Sequence, residues 1–234
     1  MNGPPLLALQ LLDSELDQIE QRRKRLPQRA PLADATTAHA GWRSERHRLE
    51  AIVAEAYDAI ERSETASADI QKKKARLDAQ LKTVIAPREA EALMHEIDGL
   101  LARRNELDDA ELLVMETQAE AEKALSALAE VEPPLLASLA QAQAALDEAL
   151  IGLGAEEADI RARRGEVDAS LTDDDRSLYE AMRARHGGVG FARLDRHTCS
   201  ACHVDLSQVE FERVMAAPPD ELPDCPHCGR HLVV

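Results

Sequence analysis

Leu9, Leu12, Leu16, Ile19 and Leu26 recur at alternating steps of three and four, with Arg23 the polar member of the row. That spacing holds one stripe on one side of a helix and predicts a coiled-coil seam. Pro27 and Pro31 then interrupt it, since each lacks a backbone N–H and crowds the preceding turn. A second row starts at Leu32 and keeps its phase to Val84 through Ala35, Trp42, Leu49, Val53, Ala56, Ile60, Ile70, Leu77 and Leu81. A third runs from Leu93 to Val167 through Ile97, Leu100, Leu107, Val114, Ala121, Leu125, Leu128, Leu146, Leu153 and Ile160. Over both rows 27 of 38 positions are apolar, against about 17 for the chain's overall share of such residues. His39 and Trp42 both fall on the seam and read as packing residues.

Pro87 stands between two seams of similar length and suits the first turn of a new helix. The arrangement this predicts is an antiparallel hairpin with its tip near residues 85–88, each seam burying the other. A parallel dimer running straight through is the alternative; Pro87 and the matched arms weigh against it. Pro133–Pro134 should kink the return arm and Pro27/Pro31 the outgoing one. From Thr172 the pattern changes. Thr172 can cap a helix that opens on Asp173, Asp174 and Asp175 and closes on Arg183 and Arg185, with Gly187 as its stop. Gly187, Gly188 and Gly190 then form a hinge-like joint. Beyond it, Phe191–Leu194 and His231–Val234 carry strand signals and Ser207–Met215 a helix signal. The expected fold class is mainly α: a long kinked antiparallel coiled-coil hairpin over 1–170, a short connecting helix and Gly-rich joint over 171–189, and, over 190–234, a small unit whose two C-x-x-C pairs, Cys199/Cys202 and Cys225/Cys228, make it a zinc ribbon.

Composition agrees with long helices. Of 234 residues only 2% are aromatic, so a compact α/β core is not expected. The net charge of −16 argues against a general nucleic-acid coat. No stretch approaches the ~20 apolar residues of a membrane helix, which leads to the expectation of a cytoplasmic protein without membrane contact.

All four cysteines fall in the last 36 residues as two C-x-x-C pairs, Cys199/Cys202 and Cys225/Cys228. Two thiolates on each of two tight turns complete a tetrahedron, and four thiolates favour zinc or iron over hard cations. The reading is one structural Zn2+, because a site filled by four cysteines leaves no position for water. A C-x-x-C redox pair is chemically feasible, but two pairs in one small unit point to metal. A two-zinc RING-type module would need eight ligands. His197, His203, His227 and His231 crowd the region and read as knuckle surface rather than ligands. Gly229 lets the chain leave the second turn.

With hairpin and ribbon in place, the chain resembles a bacterial family of long coiled-coil hairpins ending in a four-cysteine zinc ribbon. The resemblance covers essentially the whole length. It is densest in Val84-x-x-Pro87-Arg88-Glu89-x-Glu91-Ala92-Leu93-x-His95-Glu96-Ile97 and continues in Leu107-x-Asp109-x-Glu111-Leu112 and Met115-Glu116. It recurs at Tyr179 and in Cys225-Pro226-x-Cys228-Gly229-Arg230-x-Leu232. The family is often labelled a predicted nucleic-acid-binding zinc ribbon. The resemblance also implies an adaptor for an alternative sigma factor and for flagellar or secretion regulation.

Charge bears on that choice. From Gly187 to Val234, Arg193, Arg196, Arg213 and Arg230 stand against seven acids including Asp220, so the ribbon suits protein better than phosphate. Between Asp69 and Glu89, Lys72, Lys73, Lys74, Arg76, Lys82 and Arg88 outnumber three acids, whereas residues 105–132 hold nine acids and one lysine. The run Arg22–Arg25 reads as the exposed side of the first helix. No nucleophile with its base, phosphate loop or open metal position is visible, so neither enzymatic activity nor a small-molecule substrate is expected. The expected function is a non-enzymatic adaptor making protein–protein contacts, with a DNA- or RNA-binding regulator as the alternative. Its candidate partner surfaces are the tip around Lys82, Arg88 and Glu89 and the ribbon face around His203, Arg213 and Arg230.

Overall fold

A computed structural model describes residues 3–218 and 221–234; Asp220, counted above among the ribbon acids, lies outside them. In chain order the elements are α1 (Gly3–Lys24), α2 (Arg29–Leu81), α3 (Pro87–Ala169), α4 (Asp173–Arg185), β1 (Phe191–Asp195), β2 (Thr198–Cys199), α5 (Gln208–Met215) and β3 (His231–Val233). Three of the prolines fall where their missing donors cost least. Pro27 sits in the α1–α2 break, Pro31 in the first turn of α2, and Pro87 is the first residue of α3. Helical backbone continues through Pro133 and Pro134 inside α3. The α2–α3 connection is residues 82–86, slightly ahead of the expected tip.

The chain divides into two compact units. One unit is residues 30–143; the other joins the chain up to Arg29 with Ala144–Val234. The reason is that α1 and the last third of α3 pack with the connecting helix and the ribbon.

The hairpin unit holds α2 and the first part of α3. Every buried residue of α2 lies on the predicted row: Ala35, Trp42, Leu49 and Ala56, at seven-residue intervals. In α3 the buried hydrophobics Ile97 and Ala121 of this unit lie on their row as well. Trp42 stacks on His39 with centroids 5.7 Å apart and donates its indole N–H to the Leu128 carbonyl at 2.9 Å. Pairing residue 42 with 128 fixes the antiparallel sense.

In the other unit α1 runs antiparallel to the end of α3. Leu12 and Ile19 bury against Leu153 and Ile160, with Leu16, Leu26 and Val167 at the margin. The Arg22–Arg25 run lies on the exposed side of α1, with Arg23 half-buried, and its first two members reach across the seam. Arg22 forms a two-pronged pair with Glu156 at 2.6 and 3.2 Å, and Arg23 pairs with Glu157. Leu6, Leu9, Leu171, Tyr179, Met182 and Phe191 form a second core between α1, α4 and β1.

Two polar α1 residues, Gln10 and Asp13, are only 2% and 3% exposed. Gln10 donates to the Gly188 carbonyl at 2.9 Å and accepts from the Gly190 N–H at 2.8 Å. Asp13 accepts from Arg164 Nε and from the Tyr179 hydroxyl, both at 2.6 Å, and pairs with Arg183. The helix α4 starts on the Thr172 cap as anticipated and ends in a Schellman turn, Gly187 at φ +62° and the Gly188 N–H on the Arg183 carbonyl at 2.9 Å. The glycine joint is therefore held by Gln10 from one side and by its own turn from the other.

Candidate metal centre

The ribbon is a three-stranded sheet of order β2-β1-β3, β1 antiparallel to β2 and parallel to β3. Side chains alternate along β1, so Phe191 enters the α1/α4 core while Ala192 faces the cysteines. Ser207 and Glu210 form a reciprocal capping box at the start of α5, which orients that helix over the site. Ala192, Leu206, Val214 and Leu232 bury the two inner cysteines, with Leu194 and Phe211 at the edge. Phe211 packs against the cluster, its ring 4.2 Å from that of His197.

All four cysteine sulfurs lie within 4.8 Å of one another, Cys199 and Cys225 buried, Cys202 and Cys228 half-buried. The separations Cys199–Cys228 and Cys202–Cys225 are 4.0 and 3.9 Å. A disulfide needs about 2.05 Å, whereas a tetrahedral zinc with Zn–S of about 2.3 Å requires sulfurs about 3.8 Å apart. The donor set thus fits a four-coordinate thiophilic ion.

The two knuckles are built alike. The His203 N–H donates to the Cys199 carbonyl at 2.9 Å, and the Gly229 N–H to the Cys225 carbonyl at 2.8 Å. The residue after each second cysteine takes positive φ, +57° at His203 and +68° at Gly229. Glycine does so freely; histidine there carries a strain of order 1 kcal/mol. Backbone N–H groups then aim at sulfur. Burial pushes the Cys225 thiol up to about 12 despite donors at His227 and Cys228. At Cys228 burial is outweighed by the backbone and side-chain donors of Arg230, and the thiol falls to about 7. These N–H donors are the part of the site that side-chain identities conceal; only the doubled C-x-x-C-x spacing signals them.

The remaining predicted residues are dispersed. His203 and Arg213 are exposed on the ribbon, but Arg230 is committed inward, its Nε on the Val189 carbonyl at 2.7 Å. His231 is not knuckle surface: its side chain is 15% exposed, 2.8 Å from Asp224 and tilted against Phe191. Lys82, Arg88 and Glu89 are exposed in the hairpin unit and share their surroundings with Ile85, which is 96% exposed. Sequence reading missed Ile85 because a lone apolar residue in a turn carries no periodic signal.

Residues 9–187 match the family model of the CT398-like coiled coil hairpin domain, and residues 198–232 that of the C4-type zinc ribbon domain. The chain is 34% identical over 230 residues to the protein Rv2229c of Mycobacterium tuberculosis, spanning 97% of this chain and 93% of that one. Its fold is similar to a solved Mycobacterium smegmatis structure at TM-score 0.81 and 25% identity, over 100% of this chain and 98% of the other. CT398 from Chlamydia trachomatis is similar at TM-score 0.80 and 22% identity, over 97% and 95% of the two chains. HP0958 from Helicobacter pylori shares the fold at TM-score 0.60 and 17% identity, over 97% and 94%. Both domains match in order, and the chain belongs to the family of CT398-like coiled-coil hairpin proteins that carry a C4-type zinc ribbon.

Proposed function

We propose that this zinc-ribbon coiled-coil protein is a non-enzymatic cytoplasmic adaptor, with one structural Zn2+ held by Cys199, Cys202, Cys225 and Cys228. The observation that carries the reading is the closed donor set: four sulfurs at tetrahedral spacing leave no position for water or substrate. The ion then acts on folding, contributing on the order of 10 kcal/mol to a segment too small to hold a core unaided. No helix among the described residues is long and apolar enough to cross a membrane. Protein contacts are assigned to the tip, where Ile85 stands exposed between Lys82 and Arg88, and to the ribbon face around His203 and Arg213. The family resemblance suggests transcription or secretion and motility control as the setting, with a sigma factor as candidate partner.

A second reading, a DNA- or RNA-binding regulator, is favoured by Lys73, Arg76, Lys82 and Arg88, which have no ion-pair partner among the described residues. Capture from native extract by the zinc-loaded chain, with and without nuclease, separates the two. A protein that survives nuclease and is lost on Lys82→Glu with Arg88→Glu supports the adaptor. Nucleic acid in the eluate, with proteins gone after nuclease and affinity falling steeply with salt, replaces it with the regulator.

A further inference from the structure

The hairpin unit carries a second row, apolar at three of its five α3 positions, that its own helices do not cover. On α3, Met94, Leu101, Asp108, Met115 and Glu122 follow one another at seven-residue steps, one position past the seam row; Leu112 stands a turn before Met115. Met94, Leu101, Leu112 and Met115 are 55%, 37%, 59% and 49% exposed. On α2 the row Glu50, Tyr57, Glu64, Gln71 and Asp78 has the same period. Tyr57 is 58% exposed, and its hydroxyl lies 3.4 Å from Glu122 Oε1, which places the two rows on one side of the hairpin. A helix with two heptad rows, the first already buried in its own hairpin, is patterned for a second neighbour.

Charge decides which neighbour. Neither row contains a lysine or arginine, and Leu112 and Met115 stand in the segment 105–132, nine acids with one lysine. A second copy applying the same face would set acids against acids, and nucleic acid or an anionic bilayer would be repelled likewise. We propose that this face docks a basic amphipathic α-helix from another protein. Its apolar stripe lies along Met94, Leu101, Leu112, Met115 and Tyr57, and its cations lie over the flanking acids. The two methionines adapt to varied side chains, as at other helix-binding grooves. From Met94 to Met115 the stripe runs about 32 Å, matching a helix of about 20 residues. The inference rests on the adaptor reading, but it uses neither the tip nor the ribbon, so it can fail while that reading stands.

The test titrates the full-length zinc-loaded chain into a fluorescent 21-residue synthetic peptide with leucine at heptad core positions and lysine elsewhere. A peptide with glutamate in place of lysine is the control. Saturable one-to-one binding of the lysine peptide alone is expected. The charge-neutral pair Leu112→Gln and Met115→Gln should weaken it about tenfold or more with unchanged circular dichroism, whereas Lys82→Glu with Arg88→Glu should not weaken it. Absence of saturation overturns the proposal, and so does equal binding by the Leu112/Met115 variant, which reduces the effect to charge adhesion. Sedimentation showing a dimer of the chain alone that the same two substitutions dissolve reassigns the face to a second copy.

Discussion

Replacing Asp13 by asparagine should destabilise the unit that contains the ribbon, and the size of the effect follows from its partners. Burial raises the Asp13 carboxyl, but Arg164, the Tyr179 hydroxyl and Arg183 together hold it below the ordinary aspartate range. Asparagine keeps the shape and can still accept from Tyr179. It removes the negative charge from between two guanidiniums whose side chains are 33% and 31% exposed. Breaking a wholly buried pair costs about 3–5 kcal/mol; with both arginines reaching water, about 2 kcal/mol is expected. That corresponds to a fall in Tm of about 4–8 °C. The folded pKa lies below the unfolded value, so the stabilisation is fully present above about pH 5 and fades as pH falls through the folded pKa. Urea titrations of both proteins, followed by circular dichroism at pH 7, 5 and 3, read the difference directly. A gap under about 0.5 kcal/mol at pH 7, or one that persists undiminished at pH 3, would refute the ionic account of this residue.

Gly190→Ala places a Cβ 2.7 Å from Met182 Cβ and carbonyl carbon and 2.9 Å from the Arg183 nitrogen; a loss of about 1–3 kcal/mol is expected from thermal melts, with metal stoichiometry unchanged. Removing the metal with a chelator should expose the amides of β1, β2 and β3 to hydrogen exchange and, through Phe191 and the Gln10–Gly190 bond, those of α1. The amides of residues 30–143 should stay protected, and their loss would show that the two units do not fold separately. Trp42→Phe deletes the indole bond to the Leu128 carbonyl and should cost the hairpin about 1 kcal/mol in denaturant titration.

The seams were legible because a seven-residue repeat translates directly into burial. Ala35, Trp42, Leu49 and Ala56 on α2, and Leu146, Leu153 and Ile160 on α3, sit where the rows place them. The four cysteines were legible for a similar reason, since a C-x-x-C turn is a local geometry. What stayed hidden depends on partners remote in sequence. Gln10 and Asp13 look like polar breaks in an apolar run until Gly190, Arg164, Tyr179 and Arg183 are brought to them, over 150 residues away. The run Arg22–Arg25 shows its exposure in the sequence, but not the pairing of Arg22 and Arg23 with Glu156 and Glu157, which lie 134 residues further along the chain. Strand β2 is two residues long and leaves no alternation to read. The positive φ of His203 is set by the symmetry of the knuckles, not by the residue that occupies it.

The bond between Gln10 and Gly190 spans 180 residues, and this has a consequence for the order of events on the ribosome. At roughly 5–20 residues per second, α1 emerges about 10–35 s before the last glycine of its clamp exists. For most of that interval Leu6 and Leu9, each almost wholly buried in the finished protein, have no native surface to cover them. Residues 30–143, whose contacts close on themselves, can be complete before the second half of the other unit has been made. The chain is thus built from the middle outward, and its first helix is among the last parts to find its place. Chaperones that recognise short leucine-rich helices would meet α1 at this stage, and truncated products of incomplete synthesis would carry it exposed.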